Sequence, residues 1–374
     1  MDKRKKLMIS GIILVVLLLV FCWMIFTRSG RRVIYRLAGS YIYQGIDKDD
    51  DLETSSVIIP FEKEQYKNEN NSAKAKETEN VEPKIEANEP APRILPDPRH
   101  EDYVSNYLLF GVEEILNAKN TDTIMIASIN TKDSTVKLTS ILRDTYVETE
   151  EYGPSKINAI FAMGGAKAFV KVIEDYFRIK IDGYAYINFE AFENIIDSLG
   201  GISIELGEEE AEYLNTTNYI SNPAYRNVKA GWNELNGNQA LGYCRIRLVP
   251  TLGGTSDDYG RSLRHRRVLN AVFNKYKSKS LFDLLRISNN VLGYVKTNVN
   301  RQQIEKAIED IVENRITKMD SMRLPVNGAF EAPIKYQDVG YPLIYDWDEN
   351  IIKLYQFIYL DAREEAEVNL EKYK

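Results

Sequence analysis

The sequence predicts an α/β domain built around one sheet and preceded by a single transmembrane helix. Three observations predict it. Over residues 101–328, short apolar runs bounded by turn residues alternate with segments of helical spacing, the pattern of strands interleaved with helices. Residues 7–27 are an almost unbroken apolar run. Between the two, residues 61–100 are dominated by Glu, Lys, Asn and Ala and close with Pro90, Pro92, Pro96 and Pro98, a composition that buries too little apolar surface to fold.

The elements follow in order. Residues 1–6 form a short basic tail, with Lys3, Arg4, Lys5 and Lys6 ahead of the apolar run. As a helix, the 21 residues of 7–27 span roughly 31 Å, about one bilayer core. The run is too long for a signal peptide core and has no clear small-residue cleavage site. Charge alone leaves its orientation open, because Arg28, Arg31, Arg32 and Arg36 follow the span. Residues 28–100 are expected to be a juxtamembrane segment and disordered linker, with 33–43 as a short amphipathic stretch near the membrane surface. The globular part is expected from about residue 101.

Within the domain, 104–110, 123–129 and 135–142 have strand character, with 130–134 as a turn. Ala166, Phe169, Val170, Ile173 and Phe177 have helical spacing. A strand at 182–189 leads to a helix at 190–199, ended by Gly200 and Gly201, and to a strand at 202–206. Residues 207–230, polar and containing Pro223, have the character of a long loop. The apolar run 241–248 alternates like a strand. Segments 262–276 and 301–314 are predicted helices, the latter with Ile304, Ala307, Ile308 and Ile311 on one side. In the extension 329–374, Ile351, Leu354, Phe357 and Ile358 predict a helix over 349–361, and the charged last residues are expected to fray.

Composition narrows the function. A net charge of −7 argues against a general nucleic-acid binder. The two cysteines, Cys22 and Cys244, imply neither a disulfide framework nor a cysteine metal site. With His100 and His265 as the two histidines, a metal here would be held by oxygen, which favours magnesium or manganese.

Residues 241–267 concentrate the charge. If 241–248 is a strand, Arg245 and Arg247 share a face; if Arg261 opens a helix, Arg264 lies one turn along. Two elements then aim guanidinium groups into one space across a loop carrying Asp257 and Asp258, an arrangement suited to phosphate or pyrophosphate. The competing reading is a solvated basic face. Glu113 and Asp122, at neighbouring strand ends, are either ligands of one magnesium ion or ordinary loop acids. Arg143 and Asp144 are either a local ion pair closing a strand or part of the site. Lys156 and Asn158, where a loop meets a helix, suit phosphate, as many helix starts do.

Taken together, these segments resemble the LytR–CpsA–Psr family. The resemblance is carried by NYLLFGVEE at 106–114, TDTIMIASIN at 121–130, VKLTSILRDTYV at 136–147 and KINAIFAMGG at 156–165. It continues through INFEAFENIIDSLGGISIEL at 187–206, LNGNQALGYCRIR at 235–247 and DDYGRSLRHRRVLNAV at 257–272. It implies a mixed central β-sheet flanked by helices, facing outward from the membrane, with the N-terminus cytoplasmic. It also implies a phosphotransferase that moves a teichoic-acid- or capsule-like glycopolymer from polyprenyl pyrophosphate to peptidoglycan, forming a phosphodiester, with membrane lipid and no nucleic acid among its partners. By matching position, Arg245, Arg247 and Arg264 would hold the pyrophosphate, helped by Arg143, Arg261 and Lys156. Asp122 matches a metal-binding aspartate for Mg2+ or Mn2+, and Asp258 would position or deprotonate the acceptor hydroxyl. Ile160, Phe161, Val170 and Ile173 are either tunnel lining for the lipid or ordinary core.

The chain departs from the family pattern at three places. Glu113 stands where the family usually has aspartate, and the usual arginines are absent at Ile115 and Asn120. His265 and Arg266 replace a common pair of glutamines. A non-catalytic carrier or scaffold for polyprenyl phosphates, or an envelope regulator, is therefore the alternative to the transferase.

Overall fold

The computed structural model describes residues 27–49, 95–115, 118–277, 279–288 and 290–374, together with Met24. Apart from Met24 and Thr27, the expected span at 7–27 lies outside the described residues, as does most of the 61–100 linker. Among the described residues no helix is long and apolar enough to cross a membrane.

Helix α1 (Arg28–Gly45) starts where the Thr27 hydroxyl accepts from the Gly30 amide at 3.0 Å. Strands β1 (Asp47–Lys48), β2 (Val104–Ile115), β3 (Ala118–Asn130) and β4 (Thr135–Ile141) follow, then the ribbon of β5 (Tyr146–Thr149) and β6 (Gly153–Lys156). Next come α2 (Ile157–Phe177), β7 (Gly183–Asn188), α3 (Phe189–Ser198), β8 (Ile202–Leu206) and α4 (Glu208–Thr216). They lead to β9 (Gly231–Leu235), α5 (Gly237–Arg245), α6 (Asp257–Tyr276) and α7 (Leu281–Ser288). Strand β10 (Lys296–Thr297), α8 (Arg301–Glu313), β11 (Lys318–Leu324), α9 (Trp347–Ile358) and α10 (Arg363–Tyr373) complete the order.

Seven strands form one mixed sheet in the order β1-β10-β7-β2-β3-β4-β11. Its centre is the antiparallel β2–β3–β4 meander, flanked by β7 parallel to β2 and β11 parallel to β4. The turn from β3 to β4 is closed by Asn130, whose side-chain oxygen accepts from the amides of Lys132 and Asp133. Side chains alternate across the sheet. Leu108, Phe110, Ile124 and Ile126 pack with Phe169 and Phe177 of α2, Leu354 of α9 and Leu370 of α10. Ile129 and Val136 face the other way, with Tyr107, Phe273 of α6 and Ala307 of α8. The result is helix, sheet, helix. A smaller core of Ile202, Ile204, Leu214, Leu235 and Tyr243 joins β8, β9, α4 and α5 beside α6.

Several expectations are corrected. Helix α2 starts at Ile157 rather than 166; Gly165 interrupts it at φ 69°, a conformation glycine adopts without steric cost. Residues 207–230 are not all loop: Glu210 accepts from the Gly207 amide at 3.0 Å and starts α4. The fold also begins before residue 101. Arg99 is buried, pairs with Asp361 through two hydrogen bonds and lies over the Tyr359 ring at 3.9 Å. The last residues are helical, with Ala366 and Leu370 buried in the main core. Residues 33–43 belong to α1, which packs along α8: Arg31 makes two hydrogen bonds of 2.7 Å to Glu313, and Arg32 meets Glu309 at 3.1 Å. Ile160, Phe161 and Ile173 are buried core on the α2 side of the sheet.

Candidate active site

The central carboxylate owes its position to a β-bulge. Strands β2 and β3 pair Gly111 with Thr123 but Val112 with Thr121, leaving Asp122 as the extra residue. A bulge re-aims its side chain out of the ladder. Asp122 is hydrogen-bonded by Arg143, which stands just past the end of β4, the strand next to β3. Arg261, brought across by α6, lies 3.6 Å from the same oxygen.

Further ion pairs extend the cluster. Asp258 lies 3.0 Å from Arg261 and 3.6 Å from Arg247, while Asp144 lies 2.8 Å from Lys156 and 3.9 Å from Arg143. Glu113 is close enough to Asp122 to share a hydrogen bond, and the charge of Arg245 reaches it. Arg245 itself is an exposed rim residue, its guanidinium over Phe189 and Tyr219 at 5.5 and 5.8 Å. Asn158 takes part through its main chain: its amide donates to the Arg143 carbonyl, and its carbonyl accepts from the Thr121 hydroxyl at 3.2 Å.

The charges are mutually adjusted. Burial raises Asp258, but Arg261, Arg143 and Arg247 outweigh it and hold the group below the usual carboxylate range. Burial and the neighbouring cations Arg143 and Arg247 lower Arg261 to about 10, still charged at neutral pH. Burial and Asp122 push Glu113 up to about 7, while Glu113, Arg261 and Arg143 hold Asp122 below the usual carboxylate range against its burial. The buried Nε of Arg143 makes no hydrogen bond among the described residues. It faces the Asp144 carboxylate at 3.9 Å, beyond hydrogen-bond reach.

Two expectations fail here. Residues 241–248 are not a strand. Asn236 and Gln239 form reciprocal side-chain-to-amide bonds of 2.9 and 3.0 Å, a capping box that starts α5, and Arg245 ends it. Arg264 does not face the site. It is fully buried and donates to Glu210 at 2.8 Å, to the Ile246 carbonyl at 3.1 Å and to the Val249 carbonyl at 2.9 Å. Its role is to fix the turn that carries Arg247. The capturing carboxylate sits on α4, the helix that sequence reading took for loop.

Residues not singled out for the site also line the cleft: Thr123, Ser140, Ser262 and His265. His265 lies between Thr123 Oγ1 at 3.1 Å and the Cys244 carbonyl at 3.0 Å. A carbonyl only accepts, so Nε2 carries the proton and Nδ1 accepts from Thr123. Burial and the Arg261 charge push this imidazole down to about 3, so it is neutral. The one sequence signal was its departure from the family's glutamine.

Above the sheet face turned to α3, α6 and α8, packing is incomplete. Leu109 pairs across strands with Ala185 and Met125, so these share a face; Leu109 and Ala185 remain half-buried. Phe192 and Ile195 of α3, and Ile304 and Ile308 of α8, are half-buried too, and α8 has no fully buried residue.

A mixed sheet between helical layers, with Arg143 and Arg261 gathered on a bulged aspartate, defines an α/β protein with a cluster of facing charges. Its family follows from comparison. The model of the LytR_cpsA_psr family matches residues 56–350, and the chain belongs to the LytR–CpsA–Psr family. TagU of Bacillus anthracis, a polyisoprenyl-teichoic acid–peptidoglycan teichoic acid transferase, is 30% identical over 227 residues, covering 59% of this chain and 69% of TagU. The crystal structure of TagV from Bacillus subtilis superposes with a TM-score of 0.55 at 23% identity, covering 70% of this chain and 99% of TagV. TagT (YwtF) with bound octaprenyl pyrophosphate lipid gives 0.51 at 21% identity, covering 69% and 91%. At such identities these two likenesses concern the fold.

Proposed function

We propose that this protein transfers an anionic glycopolymer, of teichoic-acid or capsule type, from polyprenyl pyrophosphate to a peptidoglycan hydroxyl. The observation that carries the reading is the pair of Arg143 and the buried Arg261 on Asp122, with the Arg143 Nε making no hydrogen bond among the described residues. The half-filled apolar layer beside α3, α6 and α8 adds to it, since a lipid pyrophosphate has one anionic and one apolar part to be matched. Membership of the family, and the name borne by TagU, point to the same reaction.

In this reading the acceptor oxygen attacks the sugar-linked phosphorus, the bond to the lipid phosphate breaks, and polyprenyl monophosphate leaves as the phosphodiester forms. Arg143, Arg247 and Arg261 face the charge that grows on the leaving phosphate, with Lys156 and Arg245 at the edges. Asp258, kept ionised by its arginines, receives the acceptor proton. Glu113 and Asp122 fit a hard divalent cation, Mg2+ or Mn2+: two facing carboxyls beside the arginines, each shifting the other's protonation. Such an ion would neutralise phosphate charge. Residues 7–27 would anchor the chain, with the N-terminus inside and the domain outside the cell membrane.

The carrier reading is favoured by Ile115 and Asn120, which leave two fewer cations for the phosphates. Incubating the full chain in detergent with a short polyprenyl pyrophosphate, with magnesium, manganese or EDTA, separates the two. Metal-dependent release of the monophosphate, lost in Arg143→Ala and Asp122→Ala, is the expected result. Lipid that binds but never turns over under any metal would instead establish a carrier.

A further inference from the structure

The outer face of the β8–β9 ribbon and the adjacent side of α6 enclose an open groove of about 560 Å³, within the ~300–1,000 Å³ usual for ligand sites. It lies outside the arginine cluster but shares a wall with it. Ser262 lines the catalytic cleft, and Arg266, one turn along α6, donates to its hydroxyl at 2.9 Å while lining the groove. Register sets the opposite wall. Glu205 pairs with Trp232 and Ser203 with Glu234, so these four side chains share the face turned away from the small core of Ile202, Ile204 and Leu206.

Trp232 is 70% exposed. Packing gives no reason for it, since Leu235 supplies the buried side chain of β9. An indole has a broad apolar face, suited to the C–H face of a sugar ring. Polar groups that suit ring hydroxyls and acetamides stand nearby: Asn270 and Asn274 lie one helical turn apart in the groove, hydrogen-bonded to each other.

The charges of the groove are divided. On the α6 wall stand Arg266, Arg267 and Lys275, with Arg323 of β11 near enough to act on Arg266. Arg323 on β11 lies over the Tyr259 ring at 4.4 Å and donates to Asn327, and its buried Nη1 has no hydrogen bond among the described residues. Burial and the Arg323 charge push Arg266 down to about 10, with no carboxylate offsetting either. On the ribbon wall stand the carboxylates of Glu205 and Glu234. A sugar bearing both a carboxylate and an amine would find a partner for each.

We propose that this groove binds the acceptor, an amino-sugar strand of peptidoglycan carrying its short peptide. A sugar ring packs on Trp232, a peptide carboxylate turns to Arg266 and Arg323, and an amine turns to Glu205 and Glu234. The assignment rests on the transferase reading of the neighbouring cleft.

The test uses the full chain in detergent and a soluble disaccharide–tetrapeptide fragment of peptidoglycan, with binding followed by calorimetry and saturation-transfer NMR, without donor or metal. Trp232→Ala is expected to weaken binding roughly tenfold, and Trp232→Tyr to retain most of it. Arg266→Gln should weaken the peptide-bearing fragment but not the bare disaccharide. Polyprenyl-pyrophosphate binding should be unchanged in all three. Fragment binding indifferent to Trp232→Ala, no fragment binding, or binding of a teichoic-acid-type polymer in its place would each overturn the proposal. Fragment binding that depends on Trp232 in a protein that never turns over lipid supports the groove and counts against the transferase reading alone.

Discussion

Arg261 and Arg264 stand three residues apart on α6 and are committed to different tasks. Arg261 shares its charge among Asp122, Asp258 and whatever anion enters; Arg264 is spent on Glu210 and two carbonyls. Their substitutions should therefore separate activity from stability. Arg264→Gln takes from the buried Glu210 its nearest cation, leaving it the Gly207 amide and Arg267 at 3.9 Å, at a cost of about 3 kcal/mol, seen as a lowered urea midpoint. Arg143→Gln should slow lipid-monophosphate release by about 100-fold or more while moving the midpoint little. His265 adds a pH dependence. Its imidazole is neutral in the folded chain down to about pH 3, whereas an unfolded histidine protonates below roughly 6.5. Between these values the unfolded chain binds more protons, so stability rises with pH across that window and the contribution is complete above it. Urea midpoints measured from pH 4 to 7 should rise less steeply in His265→Gln. An equal slope in both proteins would mean that the imidazole titrates normally.

At the scale of elements, what was legible depended on whether the signal was local. The strands of the meander and helices α3, α6 and α8 carry their own periodicity and were readable to within a few residues. Segment 241–248 was not, because its alternating apolar pattern imitates a strand while the deciding capping box lies upstream at Asn236 and Gln239. Helix α4 has two fully buried apolar residues, Ala211 and Leu214, too few to show as a stripe. The Asp122 bulge was invisible for another reason: it exists in the pairing of two strands, not in either sequence. Nine of the expected site residues nonetheless converge, Glu113, Asp122, Arg143, Asp144, Lys156, Arg245, Arg247, Asp258 and Arg261, although Arg143 and Asp144 follow a strand end that the pattern located whereas Arg245 ends a helix that it missed. The C-terminus gives the clearest element-scale prediction. Leu370 of α10 lies in the main core beside the buried Arg99–Asp361 pair. Leu370→Ala should cost about 2–5 kcal/mol in urea denaturation, where a frayed tail would show no loss.

For the whole molecule, the two faces of the sheet are filled to different degrees, and that difference bears on function. Leu108, Phe110, Ile126 and Phe169 close the α2 side at 0–3% exposure, whereas Leu109, Ala185, Phe192 and Ile304 on the other side stay half-open. Protein interiors normally pack closely, so under the proposed function this half-buried layer is where an apolar ligand would complete the packing. If so, filling the layer with protein should replace the lipid. Ala185→Phe adds a ring on the face shared by Leu109 and Ile187. It should leave the urea midpoint unchanged or raised, abolish binding of a C40–C55 polyprenyl pyrophosphate, and spare binding of inorganic pyrophosphate to the arginine cluster. A drop in stability would show that the layer is already full, and lipid binding would then have to use another surface. Retained lipid binding with unchanged stability would place the chain outside this layer while leaving the phosphates where they are.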